Sequence, residues 1–140
     1  MVTAHAAQAY ARIGLETGVA AASPQRLVVM LYDGALAAIS EGRAHLVAGR
    51  TAPKGRALGK AIGIIDEGLK AALDTSQGGA IARQLMDLYD YLAQRLLLAN
   101  ARNDVALLDE ASRLLGELRE AWASLAERQE SAPVAALARR

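Results

Sequence analysis

Ser23-Pro24-Gln25-Arg26-Leu27-Val28-Val29-Met30-Leu31-Tyr32-Asp33-Gly34-Ala35 is the stretch whose reading decides the fold. Ser23 offers a hydroxyl to free backbone N–H groups, and Pro24 suits a first helical position because its missing N–H would go unpaired there. The six residues from Leu27 to Tyr32 are all apolar, and at about 100° per residue they cover nearly the whole circumference of a helix. A surface helix of a small domain needs one apolar stripe. This helix has apolar side chains for a second side as well.

Outward from that block, four segments read as long helices. The first runs from Pro24 to Val47 and stops near Gly49; the second runs from Pro53 to Asp74 and ends in the turn Ser76-Gln77-Gly78-Gly79. The third runs from Ala80 to Ala99. After the connection Asn100-Ala101-Arg102-Asn103, with Asn103 as N-cap, the fourth runs from Asp104 to Ala126. A front segment, Ala4 to Glu16, places Ala6, Tyr10 and Ile13 at helical spacing but is too short and too Ala-rich to be stable undocked. The organisation expected is an N-terminal arm over residues 1–22 with a short helix, a bundle over 23–127 and a flexible tail over 128–140. Short connections between helices of similar length imply antiparallel neighbours, hence an all-α, up-down-up-down four-helix bundle.

Composition supports helix and narrows the function classes. The 140 residues include no Cys and no Phe, only three Pro, and are rich in Ala and Leu. Disulfides and thiolate metal sites are therefore excluded. Sixteen Lys and Arg against fifteen Asp and Glu leave a formal charge of +1 with the signs interleaved, unlike the basic stripe that binding to a nucleic-acid backbone demands. No apolar run approaches the roughly 18 residues of a membrane span, and the N-terminus lacks the pattern of a secretion signal. A soluble, cytoplasmic protein is expected.

The helices differ in how much apolar surface they carry. The fourth is one-sided, with Leu107, Leu108, Ala111, Leu114, Leu115, Leu118, Trp122 and Leu125 on one arc. In the third, Leu85, Tyr89, Leu92 and Leu96 form the core arc, while Tyr91 and Leu98 share an off-core stripe two turns apart, bordered by Leu88. In the first, Met30 falls outside an arc centred on Val28, Ala35 and Ile39, with Leu27 and Gly34 on its boundary. In the second, Ile64 is the outlier from Leu58, Ile62, Ile65 and Leu69. The second helix also carries Gly55, Gly59, Gly63 and Gly68, each costing about 1 kcal/mol against Ala. Gly55, Gly59 and Gly63 follow one edge, which fits either tight packing inside the bundle or a shallow groove for a partner.

Catalytic and metal-binding patterns are sought and not met. The metal-binding Glu-x-x-His spacing of helical bundles is missed by Glu41 and His45, one residue too far apart, and the only other His is His5. His45 as a phosphotransfer histidine lacks the Lys-Gly pair that usually follows; it reads as a solvated helix-end residue that favours the helix dipole. Gly55-Arg56-Ala57-Leu58-Gly59-Lys60-Ala61 resembles a phosphate loop superficially, but is one residue short and follows no strand. Position 107, where the Arg-x-x-x-x-His of some helical ribonucleases would need His after Arg102, is Leu. No enzyme activity, cofactor or metal is expected. What remains is an exposed Tyr, Met and Leu surface, which on a soluble chain marks a protein partner; Met adapts well to varied packing there.

The chain resembles the FliS family of flagellin export chaperones. The resemblance rests on Ala9-Tyr10 in the front segment, on Glu16-Thr17-Gly18-Val19 and above all on Ser23-Pro24-x-x-Leu27-Val28-x-Met30-Leu31-Tyr32-Asp33-Gly34-Ala35. Lys60-Ala61-x-x-Ile64-Ile65-x-x-Gly68-Leu69, then Leu73-Asp74 and Gly78-Gly79, look like that family's second helix and turn. Leu88-Tyr89-Asp90-Tyr91-Leu92-x-x-Arg95-Leu96-x-x-Ala99-Asn100 looks like its third helix, and Trp122 belongs to the fourth. The resemblance implies an antiparallel four-helix bundle that binds the C-terminal segment of new flagellin in the cytoplasm, prevents premature polymerisation and keeps the subunit ready for the flagellar export apparatus. The expected mode is helix-in-groove recognition with extended wrapping. Leu27, Met30, Ile64, Leu88, Tyr91 and Leu98 are the expected apolar floor, Gly34 leaves room for approach, and Tyr10 and Ile13 serve as a movable plug. The alternative is a homodimeric structural or regulatory bundle whose surplus apolar surface meets its own copy.

Overall fold

Ser23 starts the first helix as expected: its hydroxyl accepts the Arg26 backbone N–H at 3.1 Å, and α1 spans Pro24–Val47. The computed structural model describes residues 23–73 and 75–138; the front segment with Tyr10 and Ile13 lies outside them. Gly49 closes α1 with φ +74°, a left-handed conformation that glycine adopts without a Cβ penalty. The next helix, α2, spans Thr51–Gly63, continues through the π-helical residues Ile64–Leu69 and finishes with the turn Lys70–Ala72. Helix α3 spans Thr75–Arg102, but Gly79 at φ 58°, ψ −136° breaks it, so the regular rod starts at Ala80 as the sequence predicts.

The last connection corrects one expectation. Asn103 does not cap the following helix; it takes the left-handed φ of 52° just past α3. The cap of α4 (Val105–Ala138) is Asp104, whose Oδ1 accepts the Ala106 N–H at 3.0 Å. A β-region N-cap cannot also be the left-handed residue that ends the previous helix, so the two roles fall on adjacent residues. Asn103 instead receives Lys54, which is 4% exposed: Lys54 Nζ donates to Asn103 Oδ1 at 2.5 Å and to the Asn100 carbonyl at 2.9 Å. This ties the start of α2 to the end of α3. Helix α4 also extends past the expected stop near Ala126, as far as Ala138.

Around the bundle α1 packs on α2 and α4, and α3 packs on the same two. The directions are antiparallel. Arg26 pairs with Glu130, Asp33 with Arg119 and Arg43 with Asp109, so α1 numbers rise as α4 numbers fall. Lys54 with Asn100 and Lys70 with Asp90 show the same opposition between α2 and α3. The four ion pairs are solvent-exposed or partly so, and such contacts typically contribute 0–1 kcal/mol. They record the register; buried apolar area holds the fold.

The core contains Leu31, Tyr32, Ile39, Leu58, Ile65, Leu69, Tyr89, Leu92, Leu96, Leu108 and Leu115, all with 1% exposure or less. Tyr32 of α1 and Tyr89 of α3 meet across it, ring centroids 6.4 Å apart, with their hydroxyls sharing a 2.5 Å hydrogen bond. Burial pushes both phenols up. Tyr32 rises further through its neighbour Tyr89, with a hydrogen bond from Trp122 opposing, and Tyr89 rises to about 12 against a lowering hydrogen bond from Tyr32. Gly42 supplies a close approach: a Cβ there would overlap the buried Leu58 side chain. Gly55, Gly59 and Gly63 do not, since a Cβ on any of them meets nothing within 4 Å among the described residues. Tight packing inside the bundle is not why those glycines are there.

Candidate functional site

The apolar run of α1 is satisfied within the bundle. Leu27, Val28, Val29, Leu31 and Tyr32 are all buried, because α1 lies between α2 and α4 and shows each an apolar side. Leu27, 4% exposed, is therefore a core residue, which corrects its placement on a second face. Ile64, 2% exposed, is corrected likewise. A π-helical stretch, in which the Lys70 N–H bonds to the Ile65 carbonyl five residues back, begins at Ile64, but the regular helix before it already sets the direction of Ile64. Buried Ala57, Leu58, Ala61, Ile64, Ile65, Gly68 and Leu69 share one arc at about 100° per residue, and an arc centred on Leu58, Ile62, Ile65 and Leu69 leaves out the small residues at its middle. Met30 and Gly34 are half-buried on α1, Met30 packing against the core.

Helix α3 behaves differently. Its inner face buries Tyr89, Leu92, Leu96 and Ala99. Its outer face carries Ile81, Gln84, Leu88, Tyr91, Arg95 and Leu98, at alternating spacings of three and four residues. That 3.5-residue period keeps a seam facing one neighbouring rod along its length. Ile81 is 63% exposed and Tyr91 37%, and Leu97 beside the seam is 56% exposed. Two grooves follow each other along it. One, of about 450 Å³, is lined by Tyr91, Gln94, Arg95, Leu97, Leu98 and Ala101. The other, of about 410 Å³, lies between α3 and α4, with Ile81, Leu85 and Leu88 facing Leu118, Trp122 and Leu125.

The structure thus joins Tyr91 with Leu98 in one groove and sets Leu88 in the next, on the same seam. Both grooves are built without Met30 and Gly34. Ile81, Leu97, Leu118, Trp122 and Leu125 line them although the sequence reading did not single them out as surface. The repeat of residues 81, 88 and 95 with 84, 91 and 98 was a legible signal for the seam; the participation of α4 was not, because Leu118 and Leu125 fall on an ordinary core arc.

One polar cluster interrupts the apolar seam. The Arg95 guanidinium carbon lies 4.9 Å from the Tyr91 ring centroid, a cation–π contact, and Arg95 Nε is 3.4 Å from Glu110 Oε1. The Tyr91 hydroxyl donates to Glu110 Oε2 at 3.1 Å. Tyr91 first and Glu110 next raise the Arg95 pKa, so the guanidinium stays charged within the groove. Paired with Glu110, it sets a polar spot among Leu97, Leu98 and Ala101 on an otherwise apolar lining. Among the described residues no group of three or more His, Asp and Glu could hold a metal ion, and no helix is long and apolar enough to cross a membrane. His45 is half-buried at the end of α1, with a buried Nδ1 that has no hydrogen-bond partner among the described residues.

Comparison with known proteins places the same chain beside secretion chaperones. The family model described as Flagellar protein FliS matches residues 6–129. Over 122 residues, 87% of this chain and 90% of the relative, the sequence is 49% identical to the flagellar secretion chaperone FliS of Salmonella typhimurium. Over the same share of each chain it is 41% identical to FliS of Escherichia coli. It is 40% identical to the flagellar secretion chaperone FliSB of Pseudomonas aeruginosa, across 87% of this chain and 96% of that one.

Proposed function

Because the chain belongs to the FliS family of flagellar secretion chaperones, we propose that it binds the C-terminal segment of flagellin in the cytoplasm, without catalysis, until export. The observation that carries this reading is the apolar seam along α3, which no other element covers among the described residues. A flagellin tail that builds filaments through apolar helical contacts is a matching occupant, and covering it blocks polymerisation. Leu88, Tyr91 and Leu98 form the floor, with Ile81 and Trp122 extending it, and Arg95 meets a carboxylate or carbonyl of the client. A client that wraps beyond the seam would add Met30 and Gly34 on α1 to its contacts. Ordering a flexible client costs about 2–5 kcal/mol, so the complex needs an interface larger than either groove, of order 2,000 Å² in total. Handing the client to the export apparatus completes the role.

Titration with a peptide covering the flagellin C-terminus tests the reading. Trp122, which lines the second groove, should change its fluorescence on binding, and the complex should sediment as one chaperone with one peptide. Tyr91→Ser/Leu98→Ser should weaken binding at least tenfold while lowering unfolding free energy by no more than about 1 kcal/mol. Unchanged binding by this variant removes the seam from the client site. A permanent dimer that takes no peptide would favour pairing of two copies through the same surface.

A further inference from the structure

The outward face of α2 differs from the α3 seam in being charged. Between Glu41 and Asp66 the chain has no carboxylate, but it has Arg43, Arg50, Lys54, Arg56 and Lys60. Arg43 is neutralised by Asp109 and Lys54 is buried against Asn100 and Asn103. That leaves Arg50, Arg56 and Lys60 exposed. Ion pairs among the described residues engage Arg26, Arg43, Lys70, Arg95, Arg113 and Arg119, and none of these three. The first turn of α2 contains no acidic residue and no side-chain cap, so the positive end of the helix dipole adds to the same sign.

The shape fits a ligand as well as the charge does. Two hollows lie side by side with His45 in the wall of both, one with Arg50, Thr51, Lys54 and Asn103, the other with Glu41, Pro53, Arg56 and Lys60. The buried Nδ1 of His45 lacks a partner among the described residues. Arg56 and Lys60 are one turn apart, and like charges at that spacing destabilise an isolated helix by a few tenths of a kcal/mol. Gly55, Gly59 and Gly63 on the same helix cost about 1 kcal/mol each, and no contact among the described residues uses their missing side chains. Local instability that internal packing does not explain belongs at a surface where another backbone comes close.

We propose that this face of α2 is a second docking surface, which takes an acidic segment of a partner protein, independently of the α3 seam. Membrane recognition by basic clusters uses about 4–8 cations and nucleic-acid binding a longer basic face; three free cations beside an open helix backbone fit a short row of Glu or Asp side chains. The test uses a fluorescein-labelled helical Glu/Ala peptide and its Gln/Ala counterpart, with anisotropy read at low salt and at about 0.15 M. The Glu peptide should bind and weaken with salt. Arg56→Glu/Lys60→Glu should reduce its affinity about tenfold or more, and the milder Arg56→Gln/Lys60→Gln should reduce it in the same direction. Arg83→Glu/Arg113→Glu, an equal change in net charge elsewhere on the surface, should alter affinity by less than about twofold. The flagellin peptide should bind all three variants as it binds wild type. Equal binding of the Gln peptide, equal loss in the control variant, loss of the flagellin peptide from the α2 variants, or tighter binding of a thymidine oligonucleotide or of anionic vesicles would each overturn the proposal. Failure of flagellin binding in wild type would instead bear on the α3 reading alone.

Discussion

Helices α1 and α3 both carry more apolar side chain than one stripe requires, and the bundle treats the surplus in opposite ways. In α1 the run from Leu27 to Tyr32 lies between α2 and α4, and five of its six residues are buried. In α3 the surplus points outward, leaving Ile81, Tyr91 and Leu97 among the exposed large hydrophobics. The α1 surplus is a device for stability, and the α3 surplus is the one proposed for binding. Amount of apolar surface does not separate the two; position between neighbours does.

Matched leucines give the largest test of that contrast. Leu31→Ala, at a fully buried position of α1, should lower unfolding free energy by about 2–5 kcal/mol, whereas Leu97→Ala on α3 should change it by less than about 0.5 kcal/mol. Urea melts of the two variants would erase the distinction if their midpoints fell equally. Glycines provide a smaller pair. Gly42→Ala in α1 should destabilise by about 1–3 kcal/mol, because Leu58 is buried and has no room to move. Gly59→Ala on the open side of α2 should stabilise by up to about 1 kcal/mol; a loss there would mean that the neighbourhood of Gly59 is tighter than the structure shows. The smallest effect is at high pH. Folding holds the protons of Tyr32 and Tyr89, while the unfolded phenols release theirs near 10. This contribution is complete below about pH 10 and is lost as pH rises through about 12. Tyr32→Phe/Tyr89→Phe should therefore lose less stability between those values than wild type, measured by thermal melts, and identical slopes would detach the tyrosine pair from the pH response.

Much of the fold was legible because its signals are local. Ser23-Pro24 marks the start of α1, Gly49 its end and Gly79 the break before the rod of α3, each through backbone chemistry that neighbours do not alter. The core arcs of α3 and α4 followed from a 3.6-residue period that holds there. Ile64 was misread because its arc was centred on Leu58, Ile62, Ile65 and Leu69, leaving out the small buried Ala57, Ala61 and Gly68 that share its face. Asn103 was misread as a cap because two adjacent residues with similar cap preferences exchanged roles. At the site, Leu88, Tyr91 and Leu98 were readable as off-core positions, while the α4 wall of the second groove was not. Whether Leu118 and Leu125 face the centre or a cleft depends on how far α3 and α4 stand apart.

The sequence by itself determined four helices, their order, their antiparallel connections and the surplus of apolar side chains, since capping, turn chemistry and periodicity act over a few residues. It also placed the chain in its family through the block from Ser23 to Ala35. Only the tertiary structure decided which surplus is hidden and which is offered. Burial is set by the neighbours that meet a helix face, so the run that first suggested a binding surface on α1 belongs to the core, and the open surface lies on α3.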